Sequence, residues 1–140
     1  MKKYKFLEHT ADIKFQSCGE TLNKAFENAG LAMFNAMYKE KVKSKIKKKI
    51  KVSGQDKENL LYNFLEELLF LLDSENFFTS EIKVKINEKK LELKAELKGD
   101  NAGNYSIGLD VKAVTYNEMF VKKEKVEGKE MWVCQVVLDV

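Results

Sequence analysis

Apolar and polar residues alternate at the start of the chain, and this alternation predicts short strands over residues 3–7 and 12–17. The spacing of the apolar residues then changes to that of a helix, which is predicted from an N-cap at Thr21 to about Tyr38. Alanine, methionine and phenylalanine form a stripe along this helix. Such a stripe is typical of a surface that packs into a core.

A second helix is predicted from a cap at Asp56 to about Asp73, because leucine and phenylalanine recur there at helical spacing. Glu66 and Glu67 interrupt its apolar sequence. Either side chain could project into a polar pocket, although solvent exposure is the usual position of a glutamate on a helix. The pattern does not decide between the two.

Lysine occupies every second position from residue 41 to residue 51, and the intervening positions include valine and isoleucine. This alternation predicts a strand over residues 41–52 with one face made of lysine. The favoured interpretation is an outer or edge strand whose charge resists pairing with other sheets. The alternative is a strip that faces RNA.

The second half of the chain has a period of two, which is typical of strands. Predicted strands cover residues 82–86, 91–97, 107–116, 118–126 and 130–138. The first two are expected to form a hairpin. A loop is predicted over residues 98–104, and the last strand has two apolar faces and should be central.

In the predicted strand over residues 107–116, simple alternation places Asp110, Lys112, Val114 and Tyr116 on one face. Two helices followed by a run of strands indicate an α+β fold, with the helices packed on a mostly antiparallel sheet. A chain of 140 residues with 44% hydrophobic content suggests a single domain over residues 1–140. No apolar run approaches membrane-spanning length, so we expect a cytoplasmic protein that does not bind membranes.

Two features of the composition exclude function classes. All 25 basic residues are lysine, so the chain lacks the guanidinium groups that contact guanine edges or phosphates in bidentate fashion. Cys18 and Cys134 are far apart, with no second cysteine or histidine beside either. We therefore expect two reduced thiols in the core, rather than a zinc site or a disulfide framework.

The segment from Phe6 to Ile13 brings together His9, which is the only histidine, and Asp12 in a strand-like context. Asp139 precedes Val140 at the other end of the sequence. Carboxylate and main-chain oxygens from the two ends could hold a divalent cation, and such hard ligands suit calcium, magnesium or manganese better than zinc. The alternative is that the aspartates are solvated residues in turns.

Several ordered motifs along the whole chain resemble the archease family. They are Phe6-Leu-Glu-His-Thr-Ala-Asp-Ile13, Thr21-Leu, Ala25-Phe-Glu-Asn-Ala29, Ala32-Met-Phe34, Leu65-Glu-Glu-Leu-Leu-Phe-Leu-Leu-Asp73, Val111-Lys-Ala-Val-Thr-Tyr116 and Val136-Val-Leu-Asp-Val140. Because they occur in order over nearly the full length, the resemblance is far more specific than any single motif.

The resemblance implies a protein cofactor of an RtcB-type RNA ligase, which promotes ligase guanylylation and multiple turnover in tRNA splicing or RNA repair. It implies no catalytic activity of its own, and contact with RNA ends only through the ligase. Carried over to this sequence, the metal-binding residues of the family fall on Asp12, Asp139 and the main chain of Val140. The functional lysine falls on Lys112 and the helix-two glutamate on Glu67.

One position departs from the family pattern: Asn117 stands where members commonly have histidine. His9 is therefore the only imidazole available for a functional role, and any role that needs a second histidine is in doubt. Two other functions remain alternatives. One is a metal-dependent phosphoesterase that uses Asp12, Asp139 and His9, and the other is an RNA-binding chaperone that uses the lysines of residues 41–51.

Overall fold

The computed structural model describes residues 3–8 and 11–140, so His9 lies outside the described residues. Its elements are β1 (Tyr4–Leu7), β2 (Ile13–Gly19), α1 (Leu22–Met37), β3 (Ile46–Ser53), α2 (Lys57–Glu75), β4 (Phe77–Asn87), β5 (Glu92–Asn101), β6 (Ala113–Val126) and β7 (Lys129–Asp139). A single 3-10 turn covers Ala102–Asn104. The predicted α+β class is confirmed.

The strands form two antiparallel sheets rather than one. The first sheet has four strands in the order β1-β2-β7-β6, and the second has three in the order β3-β5-β4. Helix α1 contacts both β2 and β4, while helix α2 contacts β6, β4 and β3. The two helices therefore join the two sheets around a shared core.

Both predicted helices begin at the predicted capping residues. The Thr21 side chain accepts a hydrogen bond from Lys24 N at 3.1 Å, and Asp56 Oδ1 accepts one from Asn59 N at 2.7 Å. Each cap satisfies a backbone donor that the first turn of a helix leaves unpaired. Helix α2 is followed by Asn76 in the left-handed conformation, which ends it at Glu75.

The core lies between the two helices and the inner faces of the sheets. Phe26 of α1 stacks on Phe64 of α2, with ring centroids 6.1 Å apart. The alanine and methionine stripe of α1 is buried with them, as predicted from its spacing. Fully buried side chains that complete this core are Phe15, Met33, Leu60, Leu61, Leu65, Leu68, Phe77, Leu93, Leu97 and Leu138.

Strand β7 is central in the first sheet, as its two apolar faces predicted. Cys134, Val136 and Leu138 belong to the core cluster, and Val137 on the opposite face is buried as well. Cys18 and Cys134 are both buried and are not joined in a disulfide, as predicted. Burial raises the pKa of the Cys134 thiol to about 12, so this cysteine is unreactive at neutral pH.

The predicted strand over residues 41–52 is too long at its start, because strand β3 begins only at Ile46. Val42 is buried in the core, and Lys43 N donates to Tyr105 Oη at 2.9 Å rather than to a neighbouring strand. The burial of Val42 and the hydrogen bond from Lys43 to Tyr105 therefore keep this part of the segment out of the pairing between β3 and β5. Strand β3 is nevertheless an edge strand, which agrees with the favoured interpretation.

The predicted loop over residues 98–104 was wrong in its first half, since β5 continues to Asn101. Thr79 pairs with Gly99, and a Cβ at Gly99 would lie only 2.1 Å from the carbonyl oxygen of Phe78. Glycine therefore permits the close approach of β4 rather than marking a turn. This contact could not be read from the local sequence.

The predicted strand over residues 107–116 was wrong over residues 107–112, which have no regular structure, and right from Ala113, where β6 begins. Val111 is buried, whereas Asp110 and Lys112 are exposed. Asp110, Lys112, Val114 and Tyr116 therefore do not form a single strand face.

Helix α1 protects the outer edge of strand β4. The Glu27 carboxylate accepts a hydrogen bond from Val84 N at 2.8 Å, and the Asn23 side chain accepts one from Ile86 N at 3.0 Å. Side chains of a helix thereby satisfy backbone donors that a neighbouring strand would otherwise take. Glu27 is buried and also pairs with Lys24 at 3.2 Å.

The buried carboxylate of Asp100 should make folding sensitive to acid. Hydrogen bonds from Tyr105 Oη (2.8 Å) and Asn101 N (2.9 Å) hold the pKa of Asp100 below its usual value. A depressed pKa stabilises the fold above the pKa of the unfolded chain, and this contribution is lost as the pH falls through the folded-state value.

We expect Asp100→Asn to be less stable than wild type at pH 7, with the difference narrowing as the pH falls below the ordinary aspartate pKa of about 4. Urea unfolding of both proteins across this range measures the effect. Parallel pH dependence of the two free energies of unfolding would show that Asp100 does not contribute in this way.

Candidate functional site

The end of the β2–β7 ladder brings Asp12 close to Asp139. Ile13 pairs with Leu138, and in an antiparallel ladder the next position outward places residue 12 opposite residue 139. Leu138 belongs to the core face of β7, so the Asp139 side chain lies on the opposite face of the sheet. Asp12 lies in the bend just before β2, so its side chain is not fixed by strand alternation. Asp12 is half-buried, and Asp139 is exposed.

Lys112 lies at the same end of the first sheet. Strand β6 pairs Ala113 with Asp139, and the backbone N–H of Lys112 donates to the carbonyl oxygen of Asp139 at 2.8 Å. The Lys112 side chain is exposed. Val140 packs its side chain against the core, which fixes the end of β7 beside these residues.

The donor atoms at this sheet end suit a hard cation in type. The oxygens of Asp12, Asp139 and Val140 would hold such an ion, with water supplying the other ligands that calcium or magnesium requires. Within residues 3–8 and 11–140, no group of three or more His, Cys, Asp or Glu side chains is placed to hold a metal. The strand register thus brings two carboxylates, those of Asp12 and Asp139, to this end of the sheet.

An open cleft of about 720 Å³ lies beside Asp12. Glu8 lines it together with Asp12, and Lys14 and Lys39 contribute positive charge. The half-buried aspartate therefore borders a space that water, an ion or a partner side chain can enter.

A wide bulge interrupts strand β6 next to this cluster. Thr115 pairs with Val137 and Phe120 with Gln135, so the four residues 116–119 oppose a single residue of β7. The Thr115 hydroxyl donates to Val137 O at 2.8 Å and accepts from Asn117 N at 3.3 Å. Bulges of this kind redirect side chains that regular alternation would place elsewhere.

The bulge directs Tyr116 onto helix α2. Its ring stacks on Tyr62 at 4.3 Å between centroids, and its hydroxyl accepts a hydrogen bond from Asn59 Nδ2 at 2.8 Å. Tyr116 remains 51% exposed. Burial, followed by the charge of Glu66 and the neighbouring Tyr116, raises the pKa of Tyr62, so the Tyr62 phenol is neutral at physiological pH.

Glu66 is the helix-two glutamate that contacts the motif around Lys112. Its Oε2 accepts a hydrogen bond from Val114 N at 3.2 Å, two residues beyond Lys112. Glu67 is half-buried on the same helix. In the part of the chain that the structure describes, its side chain takes part in no hydrogen bond or ion pair. The sequence could not show which of the two glutamates accepts a hydrogen bond from a backbone N–H of another element.

Glu118 is a further polar residue at this site that the alternation did not indicate. Its carboxylate pairs with Lys14 at 3.1 Å, and its carbonyl accepts from Gln135 Nε2 at 2.7 Å. Gln135 in turn accepts from Gln16 Nε2 at 2.8 Å. These bonds join β2, β7 and the bulge of β6, and hold the surroundings of Asp12 and Asp139 rigid.

Comparisons with known proteins place this site in context. The profile described as Archease protein family (MTH1598/TM1083) matches residues 4–140. The chain is 40% identical over 144 aligned residues to protein archease of Sulfurisphaera tokodaii, with 100% of both chains covered. It is 36% identical over 132 residues to protein archease of the fish Ictalurus punctatus, covering 90% of this chain and 82% of the relative.

A solution structure of Methanobacterium thermoautotrophicum protein 1598 has a similar fold. It is 34% identical, covers 100% of both chains and superimposes with a TM-score of 0.83. Among the described residues, no helix combines the length and apolar character that a membrane crossing requires.

Proposed function

Since the chain belongs to the archease family, we propose that it is a protein activator of an RtcB-type RNA ligase. In this proposal it promotes guanylylation of the ligase and sustains repeated turnover during tRNA splicing or RNA repair in the cytoplasm. It meets RNA ends through the ligase. The chain itself makes and breaks no phosphoester bond.

The observation that carries this proposal is the joining of the family motifs at one end of the first sheet. The strand register brings Asp12 before β2, Lys112 before β6 and Asp139 at the end of β7 to the same end of this sheet. Glu66 on α2 contacts β6 at Val114, two residues beyond Lys112. A polar cluster built from such distant segments resembles a contact site on a rigid scaffold.

An activator of this kind works by binding one conformation of its partner better than another. If the ligase conformation that reacts with GTP is a minor one, preferential binding raises its population without any new chemistry. Exposed Lys112 would contact phosphate or a partner carboxylate as a point charge. Glu67 and His9 remain assigned to the same contact on the resemblance alone.

We assign Asp12, Asp139 and Val140 as the residues that would hold a divalent cation, whether calcium, manganese or magnesium. When bound, the ion would supply positive charge between two carboxylates and order the ends of β2 and β7. The residues themselves orient the site: Asp139 is fixed through its carbonyl by Lys112 N.

The test of the proposed function is to mix the protein with its cognate ligase, GTP and manganese, and to follow ligase guanylylation over time. We expect acceleration at substoichiometric protein, because an activator that recycles need not be equimolar. Ligase kinetics that stay the same across a range of protein concentrations would refute the proposal. A phosphoesterase would instead hydrolyse phosphoesters without the ligase.

We expect Lys112→Ala to leave folding intact but to reduce ligase stimulation sharply. Replacement of an exposed lysine should change the free energy of unfolding by no more than about 0.5 kcal/mol. Lys89→Ala, on the exposed turn between β4 and β5, is the matched control. Full stimulation by a folded Lys112→Ala protein would assign Lys112 to the ordinary solvated surface.

A further inference from the structure

The outer face of the second sheet is covered by seven exposed lysines, which we call the lysine face. Side chains of the opposite, inner face pack into the core. The members of the lysine face are Lys47, Lys49 and Lys51 on β3, Lys94 and Lys98 on β5, and Lys83 and Lys85 on β4. Only part of the lysine run predicted from the sequence therefore belongs to it.

The strand register places three lysines directly beside one another. Lys94 on the central strand β5 pairs with Lys51 on one side and with Lys85 on the other. Neighbouring strands are about 4.8 Å apart, and residues two apart along a strand are separated by about 6.7 Å. The three strands thus present a row of three lysines across the whole width of the sheet.

This arrangement is unfavourable for folding taken alone. Like charges that face each other across a sheet are destabilising, and only three glutamates, Glu81, Glu92 and Glu96, share the face with the seven lysines. Within residues 3–8 and 11–140, no lysine of this face forms an ion pair. By contrast, Lys48 on the inner side of β3 pairs with Glu75.

Protection of sheet edges does not explain the lysine face. Strand β5 is central and has no free edge, yet it carries Lys94. Strand β4 has an edge, but Glu27 and Asn23 of helix α1 already occupy its backbone donors. Edge protection by charge therefore accounts for the lysines of β3 alone.

We propose that the lysine face binds the sugar-phosphate backbone of RNA without reading its base sequence. The choice of RNA among polyanions rests on the proposed function, since the partner ligase joins RNA ends. The site is separate from the cluster of Asp12, Lys112 and Asp139, which lies at the end of the other sheet.

The chemistry of the face determines the kind of recognition. Ammonium groups attract phosphates as point charges, and the chain has no arginine for bidentate contacts with bases. Besides seven lysines and three glutamates, this face carries Ser53 and Asn87 and no aromatic ring on which a base could stack over residues 47–53, 81–87 and 92–98. The lysine face also lacks apolar side chains, so it differs from amphipathic helices that insert into a lipid surface. Binding should therefore be electrostatic and independent of sequence.

The test is fluorescence anisotropy with a labelled single-stranded RNA of mixed sequence, titrated at several salt concentrations between about 50 and 200 mM. The test variant carries Lys51→Gln, Lys85→Gln and Lys94→Gln. If each lysine neutralises one phosphate, the slope of log binding constant against log salt concentration should become shallower by about 2. Each phosphate contact on a single strand contributes about 0.7 to the magnitude of this slope. Affinity at the lowest salt should fall at least about tenfold.

A variant with Lys3→Gln, Lys5→Gln and Lys125→Gln serves as the matched control, because it removes the same charge from exposed positions around the first sheet. It should keep most of the affinity and of the salt slope. Equal losses in both triple variants would show a diffuse effect of net charge and overturn the proposal. Thermal unfolding should show that the lysine-face variant is at least as stable as wild type.

Two further measurements separate this inference from its rivals. Vesicles containing phosphatidylserine should bind more weakly than RNA at the same salt, and tighter vesicle binding that needs the same three lysines would identify a membrane surface instead. Ligase guanylylation should be unchanged in the lysine-face variant. A wild-type protein that stimulates the ligase but does not bind RNA would refute only this inference. A wild-type protein that binds RNA but does not stimulate the ligase would refute only the proposed function.

Discussion

Replacing both aspartates at the strand ends, by Asp12→Asn and Asp139→Asn together, should abolish divalent-ion binding and return ligase guanylylation to its unstimulated rate. The two side chains supply the only carboxylates of the assigned oxygen site, and hard cations are held chiefly by carboxylate charge and number. Loss of a residue that only hydrogen-bonds to a metal ligand commonly lowers metal affinity by about 10- to 100-fold. Loss of both ligands should cost more than about 100-fold.

The fold should survive this double substitution. Asparagine has the shape of aspartate, and the hydrogen bond from Lys112 N is made to the main-chain oxygen of Asp139, which the substitution leaves in place. Asp73→Asn, an exposed change on helix α2, is the matched control. Calorimetric titration with manganese and with calcium measures binding, and equal affinities in wild type and double variant would show that no such site exists.

Gly99→Ala should strongly destabilise the protein, because β4 approaches β5 too closely there to leave room for a methyl group. The added Cβ would lie 2.1 Å from Phe78 O and 2.9 Å from Phe78 C, both of them backbone atoms. Backbone cannot move aside as a flexible side chain can, so β4 and β5 would have to separate. We expect a loss on the order of 3 kcal/mol in the free energy of unfolding.

Gly108→Ala provides the control for this prediction. Among the described residues, no atom beyond the two chain neighbours lies within 4 Å of a Cβ at Gly108, and the residue stands in the irregular segment before β6. This variant should match wild type or gain up to about 1 kcal/mol by restricting the unfolded chain. Urea unfolding of the three proteins measures the difference. Equal stabilities of the two alanine variants would mean that β4 and β5 accommodate the methyl group.

The helices were predictable because their signals are local. Thr21 and Asp56 each combine a capping side chain with apolar residues at helical spacing, and both cap the observed helices. The β4–β5 hairpin was predictable for the same reason, since its strands are separated by a short polar turn. These elements could therefore be predicted from the local sequence without knowledge of any tertiary contact.

The errors all involve contacts between residues far apart in sequence. Residues 41–45 look like a continuation of β3, but Tyr105 provides the partner that keeps Lys43 out of the ladder. Gly99 looks like a turn residue until the close approach of Phe78 is known. The division into two sheets likewise depends on which strands pair, and that choice is not encoded in the alternation of any single strand.

The candidate site was predictable only in part. Family resemblance indicated Asp12, Asp139 and Lys112, and the strand register brings these residues to one sheet end. It indicated Glu67 on helix α2, whereas Glu66 is the residue whose contact with the motif is visible. Periodicity could not distinguish adjacent glutamates, because the acceptor role of Glu66 depends on a backbone donor in another element.

The central position of β7 has a consequence for the order of folding. Gln16 of β2 and Gln135 of β7 are hydrogen-bonded although 119 residues separate them, whereas the β4–β5 and β6–β7 hairpins close over short turns. Pairing between strands far apart in sequence is slow, because the chain loses the entropy of closing a long loop before any stabilising contact forms. We therefore expect docking of β2 onto β7 to be the late step of refolding. Until it occurs, β7 exposes a pairing edge with two apolar faces, so refolding yield should fall as protein concentration rises.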